Sequence, residues 1–383
     1  MWRNIASNAL TLMVVALVVV GGLIAWGKRQ YVEPGPLAEA ICLKVERGSN
    51  FTRLADELEA QGAISNPAIF RMGVQYSGKV PDLKAGSFLV REGASMAQIV
   101  DIVTGGGAST CGSEIVLRIG VARNEILVRE LDPVSERFVT RAEFTPGEGE
   151  LPPEYNRLRD EPGTRYRVAL AEGATVWQIV EALKQAPFLS GEIESLPPEG
   201  MLAPDSYEVA AGADRGELVA RMVAAQEARL AEAWANRAEG LPYETPLEAL
   251  TMASIVEKET ALAEERPLVA SVFINRLRKG MRLQTDPAVI YGVTKGQGVL
   301  GRGLRQSELR AETPYNTYVI AGLPPGPIAN PGLASIEAAL HPDESDYIFF
   351  VADGTGGHAF AVTLAEHNRN VARWRQIEAE RGN

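Results

Sequence analysis

The stretch Thr251-Met252-Ala253-Ser254-Ile255-Val256-Glu257-Lys258-Glu259-Thr260 sets carboxylates into an otherwise apolar run. Read as a helix, Met252, Ile255, Val256 and Glu259 fall at i, i+3, i+4 and i+7, a single stripe. Glu259 therefore points with the core residues, while Glu257 and Lys258 point elsewhere. A carboxyl buried without a partner either destabilises the fold or raises its pKa until it keeps its proton. A Glu that is protonated near neutral pH is what general acid catalysis needs. Glu259 is thus the candidate catalytic residue and Glu257, two residues away, the candidate secondary acid. The competing reading is a core Glu paired with an arginine such as Arg276 or Arg282, since structural ion pairs also perturb pKa values.

Several elements must position that carboxyl. Thr245-Pro246-Leu247-Glu248 is a capping box with Pro at the first helical position, so the Glu259 helix starts there. A second helix follows Pro267, burying Val269, Val272, Phe273 and Leu277 and ending on Arg276, Arg278 and Lys279 with Gly280 beyond. Next come Met281 to Gly292, which carries Gln284 and Asp286, and Thr313-Pro314-Tyr315-Asn316-Thr317-Tyr318. Gln284, Tyr315, Asn316 and Tyr318 are types that hydrogen-bond and stack on sugars, although each is also an ordinary turn residue. Asp286 is the one tempting second carboxyl; its setting in Gln-Thr-Asp-Pro suits a turn or cap, and a structural role is favoured. Tyr347 to Val351 and His358 to Val362 flank Asp353-Gly354 as a β-hairpin. His341, His358 and His367 show no metal-ligand spacing, and His358 reads as support for the hairpin. Neither a phosphate-binding glycine loop nor a Gly-x-Ser-x-Gly elbow is present.

At 383 residues the chain has room for two or three domains. The formal charge of −11, without a Lys/Arg block, argues against nucleic acid as a partner. Residues 9–26 carry no charge and would span roughly 27 Å as a helix, near the thickness of a bilayer core. A cleaved signal peptide is the alternative, but its apolar region would be shorter, so a single-span anchor is expected. Glu33 to Pro36 then reads as a short linker. Cys42 and Cys111 could pair or remain buried thiols.

An internal repeat follows, with copies at Val45–Asp56, Arg91–Asp101 and Ala171–Glu181. Each reads as a strand, a glycine turn and a capped helix whose apolar face starts six residues after the glycine. Gly105-Gly106-Gly107 marks a break before a β-rich stretch. The expected plan is α+β and multidomain. It runs from a tail (1–8) and anchor (9–26) through repeat-bearing modules (37–107), an inserted β-rich element with a loop (108–163) and a third repeat with its connection (164–212). The chemistry-bearing domain (213–383) completes it.

The run from Met252 through Gly292 resembles the endolytic murein transglycosylases, the YceG-like family. Tyr315-Asn316-Thr317-Tyr318, Gly322-Leu323-Pro324-Pro325-Gly326, Ala352-Asp353-Gly354 and Gly357-His358 carry the same resemblance. It covers most of the chain, including the anchor and the LysM-like repeats. It implies a cofactor-free, single-pass inner-membrane enzyme with a periplasmic body, working beside cell-wall synthases. Its activity would be cleavage of the MurNAc-GlcNAc bond inside nascent peptidoglycan strands, leaving 1,6-anhydro ends. It implies Glu259, the Glu followed by Thr, as the catalytic acid. Lytic transglycosylases more broadly carry Glu-Ser, a Gln segment and a Tyr-Asn segment, which Gln284 and Tyr315-Asn316 match in order. The 108–163 insertion departs from that family's usual plan. A lysozyme-like hydrolase using Glu259 with Asp286, and a peptidoglycan-binding scaffold without activity, are the alternatives.

Overall fold

A computed structural model describes residues 2–105, 110–161 and 163–381. The chain is a mixed α+β protein of two compact units. Unit 1 comprises Met1–Ile115, Leu127–Glu143 and Leu151–Arg165; unit 2 comprises Val116–Ile126, Phe144–Glu150 and Tyr166–Asn383. Met1 and residues 106–109, which include most of the glycine break and the expected start of the insertion, lie outside the described residues.

Unit 1 begins with helix α1 (Trp2–Val32), whose Leu10–Val32 portion is long and apolar enough to cross a membrane. The helix continues beyond the charge-free residues 9–26 to Val32, because nothing breaks it before Pro34 and Tyr31 finds a packing site on the core. Nor is the expected linker loose: Gly35 N–H donates to Gly93 O at 3.0 Å, and a Cβ at Gly35 would overlap the Ala94 carbonyl. Strand β1 (Ile41–Val45), helices α2 (Phe51–Ala60) and α3 (Pro67–Tyr76), strand β2 (Gly86–Val90) and helix α4 (Met96–Thr104) follow. β1 and β2 pair antiparallel, so the first two repeat copies share one sheet and one core. Between α4 and unit 2's first repeat helix the chain forms β3 (Ser113–Ile119), β4 (Asn124–Asp132), β5 (Arg137–Phe144), α5 (Pro153–Leu158) and β6 (Arg165–Leu170).

The repeat has a clear physical basis. Gly48, Gly93 and Gly173 all take positive φ, between 67° and 80°, to turn the chain from strand to helix. Six residues after each, Leu54, Ile99 and Ile179 are fully buried. Ser95 with Gln98, and Thr175 with Gln178, form complete capping boxes. The first helix differs: Asn50 is its cap, its Oδ1 accepting from Thr52 and Arg53 N–H at 3.0 Å.

Unit 2 continues with α6 (Val176–Gln185), the short strands β7 (Leu189–Ser190), β8 (Ser206–Val209) and β9 (Ala213–Asp214), and helix α7 (Arg215–Ala235). β6 pairs antiparallel with β8, and β7 parallel with β9. Then come α8 (Pro246–Glu259), α9 (Arg266–Arg278), α10 (Asp286–Thr294), α11 (Gln306–Arg310) and α12 (Leu333–Leu340). The hairpin β10 (Phe349–Ala352) and β11 (His358–Ala361) precedes the C-terminal helix α13 (Leu364–Arg381).

Helix α8 starts where its capping box requires, with Thr245 and Glu248 bonded reciprocally. It is not amphipathic. Every residue from Ala249 through Val256 is buried, because α7, α9, α10 and α12 pack around it. Where the sequence predicts a single apolar stripe, the middle of the helix is buried on all sides. Its polar interior groups are satisfied locally: Ser254 Oγ donates to Thr251 O at 2.7 Å and accepts from Ile328 N–H at 3.0 Å.

Cys42 of β1 and Cys111, 69 positions apart in sequence, form a disulfide with Cα atoms 5.5 Å apart. A cross-link over a loop of that length stabilises by about 2–4 kcal/mol. The Cys42→Ser/Cys111→Ser variant is expected to lose that much in equilibrium denaturant unfolding monitored on unit 1; an unchanged midpoint would contradict the cross-link.

Candidate active site

Glu259 is the last residue of α8 and Thr260 caps it. Thr260 Oγ1 accepts from Leu262 N–H at 3.1 Å and donates to Glu265 Oε2 at 3.3 Å, which fixes the turn that carries the chain away. Glu265 in turn holds the start of β11. Its Oε1 accepts from His358 N–H at 2.9 Å and its Oε2 lies 2.7 Å from His358 Nδ1. The C-terminal end of α8 and the hairpin are therefore tied through one carboxylate.

The Glu259 carboxyl is held with its pKa pushed up to about 6. Desolvation is the largest cause; the Asp286 charge adds to it, while the Thr285 hydroxyl, His358 and Arg276 act in the opposite sense. Its position at the negative end of a helix also disfavours the carboxylate. Arg276 is buried, and its donors go to the backbone: Nε to Ile348 O at 2.7 Å and Nη1 to Leu283 O at 2.5 Å. It biases Glu259 from behind rather than closing a salt bridge on it, so the core Glu–Arg pair considered from the sequence is not what forms. Thr285 Oγ1 is buried, has no other partner among the described residues, and faces the same carboxyl.

Glu257 has a different environment. Its Oε2 accepts from Gly332 N–H at 3.1 Å and Ser335 Oγ at 2.8 Å, and its Oε1 lies 3.5 Å from Arg266. These groups open α12, so Glu257 is a helix-capping carboxyl whose oxygens are taken up by those donors. Both glutamates are shielded. What separates them is that Glu257 is fully satisfied by its donors and Glu259 is not.

The other candidates divide. Asp286 is exposed, and Tyr318 Oη donates to its Oδ1 at 2.7 Å; burial, that bond and the nearby Asp286 and Glu259 charges raise the Tyr318 pKa. Glu259, Asp286, Tyr318, Thr285 and His358 thus form one electrostatic group. Gln284 is exposed beside it, at φ 51°, where its backbone N–H donates to Thr317 O at 3.1 Å. Tyr315 instead faces Tyr291, ring centroids 4.8 Å apart, and the buried side of Glu199. Asn316 does not fit a sugar-binding role. It is fully buried; Nδ2 donates to Glu308 O and Ala311 O, and Oδ1 accepts from Tyr318 N–H. Its amide shapes the turn that presents Tyr318.

Thr285, His358 and Glu265 were not singled out from sequence as site groups. No spacing betrays a Glu–His contact across 93 residues, and from the sequence His358 reads only as hairpin support. A cavity of about 560 Å³ near α7 and α12, lined by Arg229, Glu232, Pro267 and His341 among others, includes none of these groups.

The YceG-like family model matches residues 143–373, more than half of the 383-residue chain and the whole of this site. The chain belongs to the YceG-like family. An endolytic murein transglycosylase of Bacillus subtilis is 49% identical over 120 residues, 31% of this chain and 32% of that protein. One of Streptococcus pneumoniae D39 is 29% identical over 374 residues, 94% of this chain and 64% of its relative. The match therefore spans less than two thirds of either relative's length. A YceG-like protein of Listeria monocytogenes of known structure is 26% identical, with a TM-score of 0.45, covering 86% of this chain and 98% of the other.

The raised Glu259 pKa has a stability consequence with a definite sign. Its folded value of about 6 lies above the ordinary 4.5, so the protonated carboxyl's contribution is complete below pH 4.5 and is lost as pH rises through 6. That amounts to about 2 kcal/mol. In chemical denaturation, Glu259→Gln should match the parent near pH 4 and exceed its stability by up to ~2 kcal/mol at pH 8. Equal curves at both pH values would contradict it.

Proposed function

We propose that this YceG-like protein is a membrane-anchored lytic transglycosylase that cuts peptidoglycan glycan strands within the chain. The reading is carried by a shielded carboxyl at the end of a fixed helix, without an ion-pair partner among the described residues, where desolvation pushes its pKa up to about 6. Protonated Glu259 gives its proton to the glycosidic oxygen as the C1–O bond breaks. The resulting carboxylate then takes the proton of the muramoyl C6 hydroxyl, whose oxygen closes on C1. Donor and acceptor steps use one group, and the nucleophile is supplied intramolecularly, where effective concentration is high. A pKa between the ordinary carboxylate range and neutrality serves both steps.

In this reading Asp286, an anion beside Glu259 and bonded to Tyr318, keeps the acid protonated and offsets the positive charge developing at C1. Gln284 and Tyr318 supply sugar contacts at the exposed edge. Asp286 also favours a second reading, a hydrolase in which it activates or replaces water. The exposed apolar helix α1 supports anchoring, and the Cys42–Cys111 disulfide supports a body outside the reducing cytoplasm.

With uncrosslinked glycan strands, the purified protein should release fragments ending in 1,6-anhydro-muramic acid. A product heavier by one water would instead identify the hydrolase. Glu259→Gln should reduce product at least a thousandfold with the fold intact. Glu257→Gln, which keeps an oxygen for Gly332 and Ser335, should retain product formation within about tenfold. Full activity of the Glu259 variant would remove the assignment.

A further inference from the structure

Helix α3 in unit 1 carries two faces with different fates. Ile69, Phe70 and Val74 enter the core, whereas Met72 and Tyr76, one turn apart, are 60% and 96% exposed. Val80, just past the helix, is 53% exposed. A fully exposed Tyr with an exposed Met at i−4 is an apolar edge with no partner among the described residues of the unit.

The neighbour of that edge is α1. Gly73 lies against the Tyr31 ring so closely that a Cβ would overlap it, and Tyr31 itself packs on the unit 1 core. Around α3, at 100° per residue, Phe70 and Val74 lie on one side of Gly73 and Met72 and Tyr76 on the other. The Met72–Tyr76 edge thus turns away from the core, alongside α1. The charge-free part of α1 ends at Trp26, itself 53% exposed, before Lys28 and Arg29. From Trp26 to Tyr31 is about 7–8 Å of helix. The head-group layer on each side of a bilayer is about 5–7 Å thick.

We infer that the Met72–Tyr76–Val80 edge rests in the lipid head-group layer of the membrane that α1 spans. The inference rests on the spanning role of α1. Tyr places an apolar ring and a polar tip at such a boundary. Lys28 and Arg29 on α1 are both exposed; Arg29 pairs with Glu33 at 2.5 Å, and Lys28 is left to meet lipid phosphates. The contact would seat unit 1 on the bilayer rather than leave it swinging from a tether.

The test uses the full chain reconstituted in phosphatidylethanolamine–phosphatidylglycerol vesicles, labelled with an environment-sensitive fluorophore at Tyr76→Cys without reducing the native disulfide. Nitroxide lipids spin-labelled near the head group should quench the probe at least twofold, and aqueous iodide should quench it at least threefold less than the free dye. Full access to iodide with no nitroxide quenching would overturn the inference. Shielding from iodide without nitroxide quenching would also overturn it, showing a protein partner or a second copy on the edge. A probe at Val18→Cys reports α1 separately: if acyl-chain nitroxides leave it unquenched, the spanning role fails, and this inference with it.

Discussion

The site depends on a carboxyl placed at the end of a helix whose central two turns have no wet face. Eight consecutive residues of α8, Ala249 through Val256, are packed on all sides, so the helix cannot roll or shift without opening the core of unit 2. Glu259 is carried on that rigid rod to the first position where the packing opens. Withdrawal from water and the helix's own negative end act together to disfavour its charged form. No arginine cancels the effect, because the one nearby spends its donors on Ile348 and Leu283 carbonyls.

The surroundings hold that state in place. Glu257 serves α12, Glu265 ties the end of α8 to the hairpin through His358, and Asn316 shapes the turn that sends Tyr318 to Asp286. Three of the four glutamates between Glu257 and Glu265 thus have separate fates set by their donors. Two are satisfied and structural. One is left poised.

Much of this was legible in the chain. The capping boxes at Thr245, Ser95 and Thr175 fix helix starts through side chains three residues apart, and a local pattern records a local bond. The hairpin and the strand–turn–helix repeats are local too. Periodicity was less faithful at α8, where a stripe was expected and an all-round buried helix formed; a run rich in Ala and Ser looks polar enough for one wet face until its neighbours are known. Asn316 and Glu257 show a second limit. Their residue types suit sugars and proton transfer, but which donors reach them depends on segments up to 78 residues away. The same holds for the Glu265–His358 contact and for the cysteine pair, where the sequence left two outcomes open. Helix α1 ran on past its charge-free part because Tyr31 meets Gly73, a packing event between distant segments.

The central claim is that Glu259 keeps its proton to about pH 6 because of where α8 ends. Carbon-detected NMR of side-chain carboxyls, with the Glu259→Gln spectrum to assign the resonance, reads this directly. The account predicts a titration midpoint near 6, well above that of an exposed Glu. A midpoint at or below the ordinary 4.5 would contradict it.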